Sequence, residues 1–264
     1  KLGSNIEMVE FIESTIIEHK YSPSAALAEA RKNGYEVNFC ERTLYNYIDE
    51  GLFARLTNKD LPVKKIGRKR PYHHVRTAYN QKGKSIEERP KEAENKEIFG
   101  HWELDTVVGK HKTKAALMVM TERSKGIEII RKIESKSQEC IVRELDKLER
   151  RLGTKKFREI FKTITCDNGC ENLDFNGMEK SVLTNIPRTQ VFYAHPYSAW
   201  ERGANECANK LIRRFIPKGA DISKYSKKFI RYIQHWMNNY PRKKLHWLSP
   251  YDVSLALNLP LNLW

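Results

Sequence analysis

His101-Trp102-Glu103-Leu104-Asp105-Thr106-Val107-Val108 is the stretch on which the fold turns. It is dense in β-branched and aromatic residues and reads as a strand. Successive side chains in a strand take opposite sides, so Trp102, Leu104 and Thr106 share one face and Glu103, Asp105 and Val107 the other. An acid inside so apolar a run is costly to bury, and it persists where its charge is paired or holds a metal ion. Asp105 is therefore the first candidate for chemistry.

Two further strands follow at once. Residues 115–121 and 127–133 are apolar and separated by polar turns at 109–114 and 122–126. Three strands with short links predict an antiparallel meander. Residues 137–152 place Ile141, Leu145, Leu148 and Leu152 on one face of an amphipathic helix. Residues 163–166 and 190–193 read as short buried strands. Residues 205–215 and 227–239 read as helices, the second with Phe229, Ile230, Ile233 and Trp236 turned inward. The sum is an α/β domain on a partly antiparallel mixed sheet.

Upstream the texture is helical. Ile6, Val9, Phe11, Ile12, Ile16 and Ile17 recur at a helical period. Ser22-Pro23 starts a second helix, which Gly34 ends. A third runs over 41–48 and is closed by Gly51. Two short helices about a tight connection, the second carrying Arg42 and Tyr45, match a helix-turn-helix, with an ordinary helical hairpin as the alternative. Arg42 and Tyr45 would then touch DNA. Residues 59–97 lack periodicity, and within 61–90 nine Lys/Arg stand against two Glu. The centre of that run holds Lys64, Lys65, Arg68, Lys69 and Arg70, either a solvated linker or an arm along phosphates. Three domains result: helices at 1–58, a basic linker at 59–97 and the α/β domain at 98–264.

Of 264 residues, 40% are hydrophobic, which excludes a disordered chain. No stretch approaches the roughly 20 apolar residues of a membrane span, so no membrane partner is expected. No signal-peptide pattern opens the chain, and Lys1 in place of Met points to a truncated or tagged start. Lys+Arg total 48 against 33 Asp+Glu, a net +15 that attracts polyanions. Five cysteines form an odd set without framework spacing, which fits a reducing cytoplasm. Cys166 and Cys170 lack the second pair a structural zinc requires.

Two more acids join Asp105. Asp167 ends the 163–166 strand before Asn168-Gly169, at the carboxyl end where α/β folds place ligands. Glu206 lies near the start of the 205–215 helix. Magnesium or manganese prefers such hard oxygens, and two ions about 3.5–4 Å apart can clamp a phosphodiester. Taken singly, Asp167 could cap a turn and Glu206 could favour a helix start; the three in this order favour function. Lys210, Arg213 and Arg214, at i+4, i+7 and i+8 from Glu206, would hold phosphates below the metals.

These residues resemble the DDE transposases of bacterial insertion sequences, specifically the insertion-sequence-30 family. The similarity runs from about Ser85 to Leu255. It covers Ser85-Ile86-Glu87-Glu88-Arg89-Pro90, Phe99-Gly100-His101 through Val108-Gly109, Thr165-Cys166-Asp167-Asn168-Gly169, His195-Pro196-Tyr197-Ser198 and Trp200 through Glu206. Asn209 through Gly219, Asn239 through Lys243 and Leu248-Ser249-Pro250 complete it. The resemblance implies an RNase H-like mixed sheet flanked by helices, preceded by an all-α helix-turn-helix domain. It also implies a Mg²⁺- or Mn²⁺-dependent triad, with two ions, that carries over to Asp105, Asp167 and Glu206. Glu201 rivals Glu206 for the third place; Glu206 is preferred for its Gly-x-x-Glu context and the basic face after it.

The reaction so implied is cleavage at transposon ends followed by attack of the freed 3′-hydroxyl on another DNA, in a bacterial, nucleoid-associated protein. Glu103, Asn168 and His195 would support the triad or position substrate, His195 not as a general base. Trp102 and Trp200 would pack. Double-stranded DNA is the expected partner, held by a homodimer or higher oligomer. The alternatives are an inert sequence-specific DNA-binding protein and a metal-dependent endonuclease that cuts without joining.

Overall fold

The computed structural model describes residues 5–62, 83–95, 97–196 and 198–258. Two compact units divide the chain: Lys1–His74 with Asn239–Val253, and Val75–Asn238 with Ser254–Trp264.

The first unit is helical. Helices α1 (Ile6–Ile17), α2 (Pro23–Lys32) and α3 (Glu41–Asp49) surround a core that includes Ile12, Ile16, Leu27, Leu44, Ile48 and Leu56. The Asn5 and Ser22 side chains accept from the backbone N–H of Met8 and Ala25 and so cap α1 and α2, with Pro23 in the first turn of α2. Gly34, at φ +84°, takes the left-handed conformation that ends α2. Residues 33–40 separate α2 from α3, a longer link than the tight connection the sequence suggested. Tyr35, Val37 and Phe39 within it pack on the core, so the link is an apolar element in its own right. Buried Glu13 accepts from the N–H groups of Arg55 (2.7 Å) and Leu56 (3.1 Å) and pins the chain after α3. The Tyr240 hydroxyl meets Ser22 Oγ at 2.9 Å, which ties residues 239–253 to these helices.

The second unit is a mixed sheet with helices on it. Its strands are β1 (Lys84–Ser85), β2 (His101–Val108), β3 (Ala116–Glu122), β4 (Glu128–Ile133), β5 (Thr163–Cys166) and β6 (Gln190–Tyr193). Their spatial order is β1-β6-β5-β2-β3-β4. The β2-β3-β4 meander is antiparallel, as its short links require, and β5, β6 and β1 extend it in parallel on the far side of β2. Helices α4 (Gln138–Leu152), α5 (Thr154–Ile160) and α6 (Phe175–Glu179) bury Ile141, Leu145, Phe157 and Met178 against Trp102, Leu104 and Met118. Helix α7 (Gly203–Ile212) packs on β2 and β3. Helix α8 (Lys227–Asn239) bonds to β4 at the sheet edge through Gln234 and Asn238.

The even–odd alternation of β2 holds. Trp102 and Leu104 are fully buried in the main core, and the Trp102 ring nitrogen donates to the Ile160 carbonyl at 2.6 Å. Ile230, Ile233 and Trp236 of α8 are buried as expected. Phe229 is not; it stacks in a row with Tyr225 and Tyr232. Strand β1 lies within the stretch that periodicity left blank. No helix among the described residues is long and apolar enough to cross a membrane.

Candidate active site

The parallel pairing of β2 with β5 decides where the aspartates fall. Glu103 stands opposite Thr165, and the same register carried two residues further sets Asp105 beside Asp167 on one face of the sheet. Arg202, from the turn before α7, bridges them. Its Nη1 lies 3.4 Å from Asp105 Oδ1 and its Nη2 3.4 Å from Asp167 Oδ2. The other Asp105 oxygen accepts from Asn209 Nδ2 at 2.6 Å. The other Asp167 oxygen accepts from the Gly169 N–H (3.0 Å) and from Asn172 Nδ2 (2.8 Å). Asn172 is itself fully buried. Both carboxylates are thus fixed on one side and share a cation on the other.

Glu206 lies on α7, one turn before Asn209. Its carboxylate, 57% exposed, pairs with Lys210 at 2.7 Å. Among the described residues no three carboxylate, histidine or cysteine side chains lie together as a metal cluster. Two of the three expected acids are gathered, and the third is held by Lys210. Glu201 is engaged elsewhere: it accepts from the His195 backbone N–H and from His195 Nδ1, both at 2.8 Å, closing the loop between β6 and α7. That bond, with Glu201 and Glu87 (3.6 Å) as nearby charges, raises the His195 pKa above its ordinary value.

Beneath the pair lies a buried polar layer. Glu103, on the Asp105 face of β2, accepts from the Asn205 N–H at 2.9 Å and from Arg123 Nε at 3.1 Å. It thereby anchors the first turn of α7. Burial raises its pKa against the pull of those two donors. Arg123 also donates to the Ala93 carbonyl. Arg89 is buried and bonds Thr165 Oγ1 at 3.1 Å; burial, then Arg123, lowers its pKa. Asn168 Nδ2 donates to the Ala194 carbonyl (2.8 Å), linking the ends of β5 and β6. Buried Glu171 pairs with Lys136 at 3.2 Å. Burial pushes the Cys166 thiol well above its ordinary pKa.

The expected basic face divides. Helix α7 ends at Ile212, so Arg213 is its cap residue and donates to the carbonyls of Ile216, Pro217 and Val108. Arg214 lies over the Trp236 ring at 5.6 Å. Lys210 turns to Glu206. Arg42 and Tyr45 stand on the exposed side of α3, opposite Leu44 and Ile48. Lys64, Lys65, Arg68, Lys69 and Arg70 lie outside the described residues. Trp102 packs, but Trp200, expected to do the same, is 77% exposed.

The donor set suits a hard divalent cation. Asp105 and Asp167 already converge on one positive group, the Arg202 guanidinium. Beside them Asn209 Oδ1 is a buried oxygen without a hydrogen-bond donor.

The chain is 36% identical to the transposase of insertion sequence IS4351 from Bacteroides fragilis, over 62% of its own length and 47% of that protein. It is 35% identical to a probable transposase of the IS1161 element from Streptococcus salivarius, over 76% of its length and 54% of that protein. Transposase InsI of element IS30C from Escherichia coli K12 is 30% identical, over 65% of the chain and 42% of that protein. The chain is thus similar to transposases of insertion sequences, one of them that of an IS30 element. It spans about half the length of these curated relatives. No family model matches the chain.

Within this site, Arg202, Asn209 and Asn172 are contacts that the motifs do not single out. A signal exists for one of them. Asn209 stands at i+3 from Glu206, the spacing that puts the two on one helical face, whereas Arg202 precedes α7 in a non-helical turn. Asn172 had none, because its contact with Asp167 depends on the turn at 169–172.

Proposed function

We propose that the chain is a metal-dependent DNA transposase. It would cleave phosphodiesters at the ends of a mobile element and join the freed 3′-hydroxyl to another DNA. The carrying observation is that Asp105 on β2 and Asp167, just past the end of the neighbouring parallel β5, meet at one cation. A mixed sheet of three antiparallel strands extended by parallel ones, with helices packed on it, fits an RNase H-like core. Asp105, Asp167 and Glu206 would hold Mg²⁺ or Mn²⁺, as two ions. Such ions, when bound, activate the attacking oxygen and stabilise the leaving one in an in-line displacement.

The chain's own residues fix the geometry. Gly169 N–H and Asn172 hold one oxygen of Asp167, and Asn209 holds one of Asp105, so neither acid has to be ordered at the moment of reaction. Arg202 supplies a planar cation suited to phosphate oxygens. Glu206, one turn from Asn209 on α7, is proposed as the third acid; Glu201 is engaged with His195 as Glu206 is with Lys210. The exposed side of α3, with Arg42 and Tyr45, and the basic run at 64–70 would be further DNA contacts. Glu103, Asn168 and His195 support the fold around the acids. Two element ends must be held together, so a dimer or larger assembly on DNA is the working form.

The test uses the full chain and a plasmid carrying the element's ends, in Mg²⁺ or Mn²⁺. Wild type nicks and joins. Asp105→Asn, Asp167→Asn and Glu206→Gln each lose both activities while still binding end DNA. Loss in Glu201→Gln with full activity in Glu206→Gln would overturn the third assignment. Nicking without joined products would make the chain a nuclease.

A further inference from the structure

A basic site lies at the other end of the sheet from β1. Along α8, Lys227, Arg231, Gln234 and Asn238 follow at spacings of four, three and four, one stripe of the helix. In its C-terminal half that stripe closes the open edge of β4. Gln234 Oε1 accepts from the Ile130 N–H and Asn238 Oδ1 from the Glu128 N–H, both at 2.8 Å. In its N-terminal half the stripe changes from amides to cations. There a cleft of about 320 Å³ opens between β4, α4 and α8.

Cations come to this cleft from all three elements: Arg131 and Lys132 from β4, Lys147 and Arg151 from α4, Lys227 and Arg231 from α8. The one acid in its lining, Glu144, already pairs with Lys147 at 2.6 Å. Lys132 donates to the carbonyls of Ser223 and Tyr225, both at 2.7 Å, and closes one end. Burial lowers the pKa of Arg131, and the charges of Arg151 and Arg231 lower it further against Glu144. Like charges are held together here in excess of the acid present. Such an arrangement is unfavourable alone and favourable beside a polyanion. Lys147 and Arg151, like Lys227 and Arg231, are one turn apart, so each wall offers two cations in line.

We infer that this cleft binds the phosphate backbone of a DNA duplex, as a contact separate from the carboxylate site. The inference rests on the reading that the chain acts on DNA, and not on the choice of metal-binding acids. A strand-joining enzyme must hold more than one DNA segment, and a basic surface away from the reacting acids supplies a second hold. The contact carries no sequence preference, because phosphates carry none.

The experiment is a fluorescence anisotropy titration of the full chain with a labelled duplex over a range of NaCl, in EDTA so that no metal-dependent contact contributes. Arg151→Gln, Lys227→Gln and Arg231→Gln are combined, since all three side chains are exposed. Each lost phosphate contact removes roughly 0.9 from the slope of log K against log salt, so the triple variant should bind more weakly with a slope shallower by about 2 to 3. A control neutralises exposed Lys156, Arg158 and Lys180, which do not line the cleft, and should keep the wild-type slope. An unchanged slope in the cleft variant, or an equal fall in the control, overturns the inference. Nicking assays in Mg²⁺ report separately on the acids, so the failure of either reading is told apart from that of the other.

Discussion

Gly169, three residues past the end of β5, is where the chain folds back under Asp167. A Cβ there would lie 2.6 Å from Glu171 Oε2 and 2.8 Å from Asp167 Oδ1. Its backbone, at φ −62°, suits any residue, so the requirement is space and not conformation. Both clashing atoms are ends of side chains, but both side chains are held, Glu171 through its other oxygen by Lys136 and Asp167 by Asn172. Gly169→Ala should cost about 1 kcal/mol, the low end for overpacking, because carboxylates can shift where backbone cannot. Displacement of the Asp167 carboxylate should lower metal-dependent nicking by about 10²-fold, the usual scale for a misplacement near 1 Å. Urea denaturation and a nicking assay on one preparation measure both; a stable variant with wild-type nicking would contradict the role given to this turn.

At the scale of elements, α8 answers a problem that β4 creates. An edge strand exposes backbone groups that invite pairing with another chain. Buried Gln234 and Asn238 occupy two of those N–H groups, and Asn238 also donates to the Glu128 carbonyl at 2.9 Å. Gln234→Leu and Asn238→Leu should each lower unfolding free energy by about 1–3 kcal/mol, the range for a buried donor left without a partner. Urea midpoints equal to wild type would contradict that reading. How much of this the sequence discloses depends on range. The β2-β3-β4 meander is legible because its pattern is local and its links short. The far ends of 163–166 and 227–239 are legible because Asp167-Asn168-Gly169 and Pro241 follow them. Two-residue β1 carries no period at all, and its pairing with β6 is made by residues more than a hundred positions on. Asp105 and Asp167 can be nominated singly, but only the parallel register puts them side by side. A helix running to 215 would make Arg213 a phosphate ligand; α7 ends at Ile212, and the Arg213 side chain turns to the carbonyls of Ile216, Pro217 and Val108.

For the molecule as a whole, a net charge of +15 has to be reconciled with a site built of acids. The two are compatible when the acids hold cations and the remaining surface meets phosphate. In the second unit the carboxylate pair lies where β2 adjoins β5, and the basic cleft lies beyond β3 at β4, so the two proposed roles, attraction of DNA and its reaction, fall to different parts of one sheet. The central claim is that Asp105 and Asp167 form a site for divalent metal. Mn²⁺ binding to the full chain in the presence of duplex DNA, followed by electron paramagnetic resonance, tests it most directly. Saturable binding in wild type and in Glu201→Gln, with loss in Asp105→Asn and Asp167→Asn at unchanged circular dichroism, is the predicted result; equal Mn²⁺ binding by wild type and both aspartate variants would contradict it.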